Sequence, residues 1–215
     1  VKIAEKITPS EGGLATAFVD IQKECQLTWV GWPGKTTKDK EKRSKLEDKL
    51  ISQYNCHPVF LSDNEIKNFY HGFSNSSLWP LFHYFTAFYH YEKSWFKAYC
   101  EVNQKFADLV LKLAKPESII WIHDYHLMLL PALLKKQRPD LKVAFFLHTP
   151  FPSYEVFRRH PERKDLLRGL IAADLIGFHT YGYLRHFRSS VLRVLDIDSD
   201  MAGLISPYTT KLGVF

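Results

Sequence analysis

Cysteine is scarce in this sequence. Only three cysteines, Cys25, Cys56 and Cys100, occur among 215 residues, and they lie far apart. A scattered, odd-numbered set of this kind forms neither the spacing of a structural metal site nor a redox-active CxxC motif. The scarcity excludes a small secreted scaffold held by disulfides and predicts a protein of a reducing, cytoplasmic compartment.

Long hydrophobic runs are also missing. No apolar stretch reaches the roughly 18 residues that a membrane-spanning helix requires, and residues 1–10 lack the apolar centre of a secretory signal peptide. The sequence therefore predicts no association with a membrane. Because it begins with Val1 rather than methionine and ends in a strand-like run at Phe215, we expect a chain cut from a larger protein at both ends.

The balance of charge is modestly basic, with 29 basic and 23 acidic residues and a net charge of +6. Two segments, 35–49 and 155–193, carry net charges of +3 and +4 and so account for the whole excess. Both segments mix the two signs, which is typical of solvated loops and helix faces. Nucleic-acid binding requires a basic surface interleaved with aromatics or a known module. Neither is present, so the sequence predicts no nucleic-acid partner.

Hydrophobic residues make up 46% of the chain, which is ample for a folded core. Short apolar runs predict the buried strands of a mainly parallel sheet, at 27–30, 58–61, 119–122, 143–147, 175–178 and 211–215. Segments of helical periodicity lie between several of them, at 91–114, 127–137, 161–173 and after Thr180. Alternating strands and helices predict an α/β fold of three layers, and the absence of a low-complexity linker predicts one domain over 1–215.

In open α/β sheets, ligands bind at the carboxyl ends of the strands, so the residues that follow each strand are the candidates for a site. Gly12 and Gly13 open a helix and let the backbone approach an anionic ligand, although a plain tight turn explains them equally well. Trp32 follows the first predicted strand in a Gly- and Pro-rich loop, where its ring offers a stacking surface for a sugar.

The strand at 119–122 is followed by His123, Asp124, Tyr125 and His126. Three interpretations are open. The two histidines and Asp124 are metal ligands; Asp124 caps the helix that follows; or the Asp124 carboxylate accepts hydrogen bonds from the hydroxyls of a ligand. The residues alone do not choose among them.

The strand at 143–147 is followed by His148, in a loop stiffened by Pro150 and Pro152. A histidine there suits a positioned ligand contact. The segment 69–84 is dense in aromatic and polar side chains, which fits either core or a wet wall facing a sugar. Together, these features predict a polar, aromatic site for a sugar or nucleotide, without identifying a reaction.

Six motifs in a fixed order make the chain recognisable. They are GGL at 12–14, GWPG at 31–34, YxxFSN at 70–75 with LWPxFHY at 78–84, IHDYHL at 122–127, FLHTPFP at 146–152 and DLIGFHT at 174–180. In this set and order, the chain closely resembles the trehalose-phosphate synthases over nearly its whole length.

The resemblance implies a GT-B glycosyltransferase, of which this chain is the N-terminal, acceptor-binding, Rossmann-like lobe. The family transfers glucose from UDP-glucose to glucose 6-phosphate with retention at the anomeric carbon, giving trehalose 6-phosphate. Two alternatives stay open: a non-catalytic regulatory domain of a trehalose-synthesis complex, and a synthase with another acceptor such as a cyclitol phosphate.

The resemblance also implies a role for each matched residue. The UDP-glucose contacts are Gly12, Gly13 and His148; the glucose 6-phosphate contacts are Trp32, Tyr70 and Asp124; and the positions linked to anomer selectivity are Trp79 and Thr149. Asp124 and His148 form the catalytic site as positioning groups, and no metal ion or cofactor is expected.

The chain departs from the family pattern at both ends. An arginine that binds the acceptor phosphate precedes Val1 in the pattern, and the C-terminal lobe that holds the donor diphosphate is missing. We therefore expect the chain alone to be inactive. Its expected partners are the two substrates and its own C-terminal lobe, with a homo-oligomer or a trehalose-synthesis complex as the larger assembly.

Overall fold

A computed structural model describes residues 26–36, 39–200, 204–205 and 210–214. These residues belong to two compact units. The first contains 26–33 and 39–58, and the second contains 34–36, 59–200, 204–205 and 210–214.

The first unit contains a two-stranded parallel sheet. Strand β1 (Trp29–Gly31) pairs in parallel with β2 (Cys56–Pro58), and helix α1 (Lys40–Tyr54) connects them. The carboxylate of Asp39 caps α1 by accepting from two N–H groups of the first turn. Asn55 ends the helix in a left-handed conformation, with φ of 48°. Most of α1 is exposed, so the predicted solvated face of the basic segment 35–49 is confirmed for its helical part.

The second unit is built on a five-stranded sheet. Its strands are β3 (Ile119–His123), β4 (Lys142–Leu147), β5 (Leu175–Phe178), β6 (Leu204–Ile205) and β7 (Thr210–Val214). Their order across the sheet is β3-β4-β5-β7-β6, and all neighbours run parallel except β6, which is antiparallel to β7. The predicted α/β class with a mainly parallel sheet is therefore confirmed. The strand predicted near the C-terminus lies inside the sheet, between β5 and β6.

The other regular elements of the second unit are helices and 3₁₀ turns. They are α2 (Asp63–Glu65), the π-helix π1 (Ile66–Leu78), α3 (Trp79–Phe82), α4 (Lys93–Leu113), α5 (Leu130–Gln137), α6 (Tyr154–Phe157), α7 (Arg163–Leu170) and α8 (Tyr181–Leu195), with 3₁₀ turns at Thr86–Phe88 and Tyr125–Leu127. Helix α4 packs on π1 and on α5, α5 packs on α7, and α7 packs on α8. The helix predicted at 127–137 thus divides into a 3₁₀ turn and α5.

The sequence did not predict the helical run formed by α2, π1 and α3. The run begins with a capping box, in which Ser62 accepts from the Glu65 N–H and the Glu65 carboxylate accepts from the Ser62 N–H. In π1, the backbone bonds join residues five apart, as in the bond from the Trp79 N–H to the Ser74 carbonyl. Helices of this type are rare, and they are frequently found at functional sites.

Asp174 fixes the amino-terminal edge of the sheet. Its Oδ2 accepts from the Val143 N–H at 2.7 Å, and its Oδ1 pairs with Nζ of Lys135 at 2.7 Å. Its carbonyl accepts from the Lys211 N–H at 2.9 Å. One side chain and its backbone therefore connect β4, α5 and β7, which sets the register of the strands whose other ends form the candidate site.

The prediction of a strand at 58–61 is wrong. Strand β2 ends at Pro58, and Val59, Phe60 and Leu61 are buried without joining either sheet. A short buried connection and a short buried strand carry the same apolar pattern, so the sequence could not separate them. Among the described residues, no helix is both long enough and apolar enough to span a membrane.

Candidate functional site

Strand register brings the predicted site residues to one edge of the second unit. His123 lies beside Phe146, and Leu147 lies beside Phe178. Asp124 and His148, which follow their strands directly, are therefore neighbours at the carboxyl edge of the sheet, where α/β folds bind ligands.

Asp124 is held in an unusual backbone conformation, with φ of 69° and ψ of 170°. Only glycine enters this region without strain. The Asp124 N–H donates to the Phe146 carbonyl at 2.8 Å, and Oδ1 accepts from the His148 N–H at 3.3 Å. The side chain does not cap the 3₁₀ turn that follows, so the interpretation of Asp124 as a helix cap is wrong. The carboxylate instead joins two strand ends.

His148 contacts two further histidines. Its Nε2 lies 3.0 Å from Nδ1 of His123, and its ring centroid lies 5.6 Å from that of His179. Burial lowers the pKa of His123 to about 4, with a further contribution from His148. Burial also lowers the pKa of His148; the Asp124 charge opposes this shift and His179 adds to it. Both rings are therefore held in the neutral form near pH 7.

Tyr70 lies on π1 and stacks on His126, with ring centroids 5.6 Å apart and an interplanar angle of 14°. His126 also stacks on the ring of Tyr125, with centroids 4.1 Å apart and an interplanar angle of 30°. The Tyr125 hydroxyl donates to Oδ1 of Asn75, also on π1, at 3.1 Å. Burial lowers the pKa of His126, partly opposed by the charge of Asp124. A neutral histidine thus contacts two tyrosine rings, and these contacts join π1 to the loop after β3.

Trp79 and Thr149 lie in the same unit. Trp79 is 39% exposed and stacks on His83, with ring centroids 4.3 Å apart. Thr149 is only 8% exposed, and its hydroxyl makes no hydrogen bond within the described residues. An exposed ring and a buried hydroxyl are groups that a sugar ligand can use, by stacking and by hydrogen bonding respectively.

The other predicted residues lie in the first unit or outside the described residues. Trp32 follows β1 in the first unit and is half-buried. Gly12 and Gly13 lie outside the described residues. Within the described part of the chain, no group of three histidine, cysteine, aspartate or glutamate side chains is arranged to hold a metal ion, so the metal interpretation of 123–126 has no geometric support.

Sequence reasoning missed the support for the loop after β3. On α4, the buried Tyr99 donates its hydroxyl to the Tyr125 carbonyl at 2.7 Å and accepts from the Met128 N–H at 3.0 Å. Asn103, also buried, donates to the His126 carbonyl at 3.1 Å. The available signal was a polar asparagine on the apolar face of the helix predicted at 91–114, because buried polar groups need partners.

Comparison with known proteins gives consistent results. The model of glycosyltransferase family 20 matches residues 2–211. The UDP-forming alpha,alpha-trehalose-phosphate synthase of Pichia angusta is 45% identical over 203 residues, which cover 92% of this chain and 42% of the relative.

Solved structures agree. The E. coli trehalose-6-phosphate structure bound with UDP-2-fluoro glucose superposes with a TM-score of 0.85 at 30% identity, covering 98% of this chain and 46% of that one. The Burkholderia xenovorans synthase in complex with glucose-6-phosphate gives 0.83 at 28% identity, covering 98% and 48%. The chain spans less than half the length of these proteins. It belongs to glycosyltransferase family 20, and the resemblance to trehalose-phosphate synthases drawn from its motifs is confirmed.

Proposed function

We propose that residues 1–215 form the acceptor-binding lobe of a retaining glucosyltransferase, which transfers glucose from UDP-glucose to glucose 6-phosphate and forms trehalose 6-phosphate. The observation that carries the proposal is the joining of Asp124 to His148 at neighbouring strand ends, in a chain of this family. It is supported by similarity to a UDP-forming synthase and to structures with UDP-2-fluoro glucose and with glucose-6-phosphate.

Tyr70 and Asp124 are the proposed acceptor contacts in the second unit. The stack on His126 restricts the orientation of the Tyr70 ring, which prepares its hydroxyl to bond the acceptor phosphate. Oδ1 of Asp124 accepts from the His148 N–H, and Oδ2 accepts from acceptor hydroxyls. Trp32, in the first unit, keeps its proposed place as an acceptor contact on the strength of its motif alone.

The donor glucose is assigned to His148, and the donor diphosphate or sugar to Gly12 and Gly13. Trp79 and Thr149 are proposed to select the anomer, since an exposed ring and an unbonded buried hydroxyl can restrict how a sugar lies. A second lobe supplies the cationic contacts to the diphosphate. We also propose a cytoplasmic location, supported by the free thiols of Cys56 and Cys100.

In the proposed reaction, the bond between the anomeric carbon and the UDP oxygen breaks, and the acceptor hydroxyl attacks from the same face. The hydroxyl proton passes to the departing phosphate oxygen, so the products are UDP and trehalose 6-phosphate. No protein nucleophile, metal ion or organic cofactor takes part in this scheme. Asp124 and His148 act by holding the two sugars in reacting geometry and by stabilising charge.

The test is an assay of the full-length protein with both substrates, measuring UDP release and identifying the disaccharide by NMR of its anomeric carbons. We expect an α,α-linked trehalose 6-phosphate. In Tyr70→Phe, loss of a bond to a charged phosphate should raise the KM for glucose 6-phosphate roughly ten- to hundredfold, with the KM for UDP-glucose nearly unchanged. The exposed Tyr54→Phe variant on α1 is the control for removal of a tyrosine hydroxyl.

Two results would overturn the proposal. Binding of glucose 6-phosphate without turnover would favour the regulatory alternative. Turnover with a cyclitol phosphate and not with glucose 6-phosphate would assign another acceptor.

A further inference from the structure

Three histidines stand side by side at the carboxyl edge of the sheet. His123 is the last residue of β3, and His148 and His179 each follow directly after β4 and β5. His148 lies between the other two, in contact with both. The proposed function assigns a role to His148 and none to His123 or His179.

The contact between His123 and His148 is a directed hydrogen bond. Nδ1 of His123 and Nε2 of His148 are 3.0 Å apart, which fits one shared proton. A neutral imidazole carries one N–H and one lone pair. When one ring donates in this bond, the other ring accepts. The second nitrogen of the donating ring then carries a lone pair, and the second nitrogen of the accepting ring carries the proton.

The surroundings of the pair keep both rings neutral. Trp121 packs on His123 with ring centroids 4.9 Å apart, and Phe146 packs on His148 at 4.7 Å. Besides His123, the charged or titratable groups that act on His148 are Asp124 and His179. Burial outweighs the attraction of the Asp124 carboxylate, so the proton remains shared between two neutral rings.

The hydrogen bond also determines which atom of His148 is available. Its Nε2 is engaged by His123, and its Nδ1 makes no hydrogen bond within the described residues. Nδ1 is therefore the nitrogen that a ligand meets. Whether it presents a proton or a lone pair depends on the direction of the bond to His123.

Resting on the function proposed above, we propose that His123 is a positioning residue that fixes the ring plane of His148 and couples the tautomer of His148 to its own, and thereby determines the contact of His148 with the donor sugar. His123 acts through His148 and needs no contact with substrate. The analogous arrangement, in which one nitrogen of a histidine is set by a partner at the other, is a common device in sites that use histidine.

The first test is spectroscopic and does not depend on activity. Long-range ¹H–¹⁵N spectra of the full-length protein with ¹⁵N-labelled histidine report the protonation of each ring nitrogen. In the wild type we expect complementary neutral tautomers, in which one of Nδ1 of His123 and Nε2 of His148 carries the proton and the other does not. In His123→Phe, which keeps a ring but removes the hydrogen bond, we expect the tautomer population of His148 to change. An unchanged tautomer of His148 in His123→Phe would overturn the proposal.

The second test is kinetic. His123→Phe should raise the KM for UDP-glucose roughly three- to tenfold, as expected for one hydrogen bond, while the KM for glucose 6-phosphate stays within about twofold. His123→Asn should recover much of the loss, because its amide places a hydrogen-bonding group near the position of Nδ1. The exposed His90→Phe is the control for the exchange of rings and should behave as wild type.

These outcomes separate the two proposals. A wild-type protein that makes no trehalose 6-phosphate but shows the tautomer change contradicts the proposed function alone. An active wild type whose His123→Phe variant matches it in spectra and in both KM values contradicts the role of His123 alone.

Discussion

The backbone N–H of His148 donates to Oδ1 of Asp124 across 3.3 Å, between the ends of two neighbouring strands. Asp124 reaches this position in a conformation that glycine adopts without strain and that strains an aspartate, with φ of 69° and ψ of 170°. This strained backbone places the Asp124 carboxylate at the carboxyl edge of the sheet. Strain of this kind is concentrated at functional sites.

Replacing Asp124 should separate its backbone strain from its chemistry. Asp124→Gly and Asp124→Ala both remove the carboxylate, but only glycine relieves the strained conformation. We expect the glycine variant to be more stable to unfolding than the alanine variant by about 1–3 kcal/mol. Denaturant unfolding of both variants measures this difference.

Activity should respond differently in the same pair of variants. Both should lose roughly ten- to hundredfold in kcat/KM for glucose 6-phosphate, because hydrogen bonds to a charged group are lost in each. Equal stability of the two variants would show that the backbone at Asp124 is unstrained. Full activity in either would remove Asp124 from the site.

The orientation of the Tyr70 ring should be sensitive to loss of the His126 ring on which it stacks. In His126→Ala, the KM for glucose 6-phosphate should rise roughly three- to tenfold, because an aromatic pair contributes about 0.5–1.5 kcal/mol beyond burial. His126→Phe keeps an aromatic ring and should stay within about twofold of wild type. An equally large effect in the two variants would mean that a ring nitrogen, rather than stacking, is what matters.

His160 should make the protein less stable in acid. It is 0% exposed and surrounded by aromatic rings; its Nδ1 accepts from the Glu162 N–H at 3.1 Å, and its Nε2 lies 3.3 Å from the Ser77 hydroxyl. Burial lowers its pKa to about 3, with a further contribution from Arg163. The unfolded chain therefore binds a proton at higher pH than the folded chain does.

It follows that the contribution of His160 is complete above the ordinary histidine pKa and is lost as pH falls from about 6.5 toward 3. The free energy of unfolding should fall by up to about 1.4 kcal/mol per pH unit in that range. His160→Asn keeps an acceptor for the Glu162 N–H and cannot titrate, so its pH dependence should be flatter. The exposed His90→Asn should keep the wild-type slope. Parallel curves for wild type and His160→Asn in denaturant titrations would contradict this account.

Gly169 on α7 should not tolerate a side chain. A Cβ atom there would lie 2.3 Å from the Met128 carbonyl oxygen and 2.9 Å from Cα of Leu129, both of them backbone atoms. We expect Gly169→Ala to lower the free energy of unfolding by about 1–3 kcal/mol, because the loop before α5 must move away from α7.

A glycine in an open position provides the matched control. At Gly182 on α8, the nearest atom to an added Cβ is Oγ1 of Thr180, at an ordinary 3.7 Å. Gly182→Ala should stabilise the protein by about 0.4–1 kcal/mol through the unfolded chain. Thermal unfolding of both variants measures the difference in stability. Similar melting temperatures for the two variants would refute the close contact at Gly169.

The sequence predicted those parts of the fold that depend on local pattern. The strands at 143–147 and 175–178 are continuous apolar runs, and the structure has them at nearly the same bounds. The placement of Asp124 and His148 at strand exits follows from the same runs, since polar residues directly after a buried strand lie at its carboxyl end.

Features that depend on register or on backbone geometry were not predictable. The hydrogen bond between His123 and His148 requires β3 and β4 to be neighbours at one specific offset, which no local pattern encodes. The positive φ of Asp124 is imposed by its bonds to Phe146 and His148. The π-helix was missed because its hydrogen bonds span five residues, and its apolar positions do not follow the familiar helical period.

The π-helix has a consequence for how this segment can vary. Tyr70 and Asn75 are separated by five residues, the step of the π-helical bonds, and both contact partners in the loop after β3. Removing one residue anywhere in Ile66–Leu78 would return the segment to a tighter helix and turn everything beyond it, including Trp79, to a different face. Substitutions on the exposed side leave this arrangement intact. In this segment, we therefore expect insertions and deletions to be tolerated less well than substitutions.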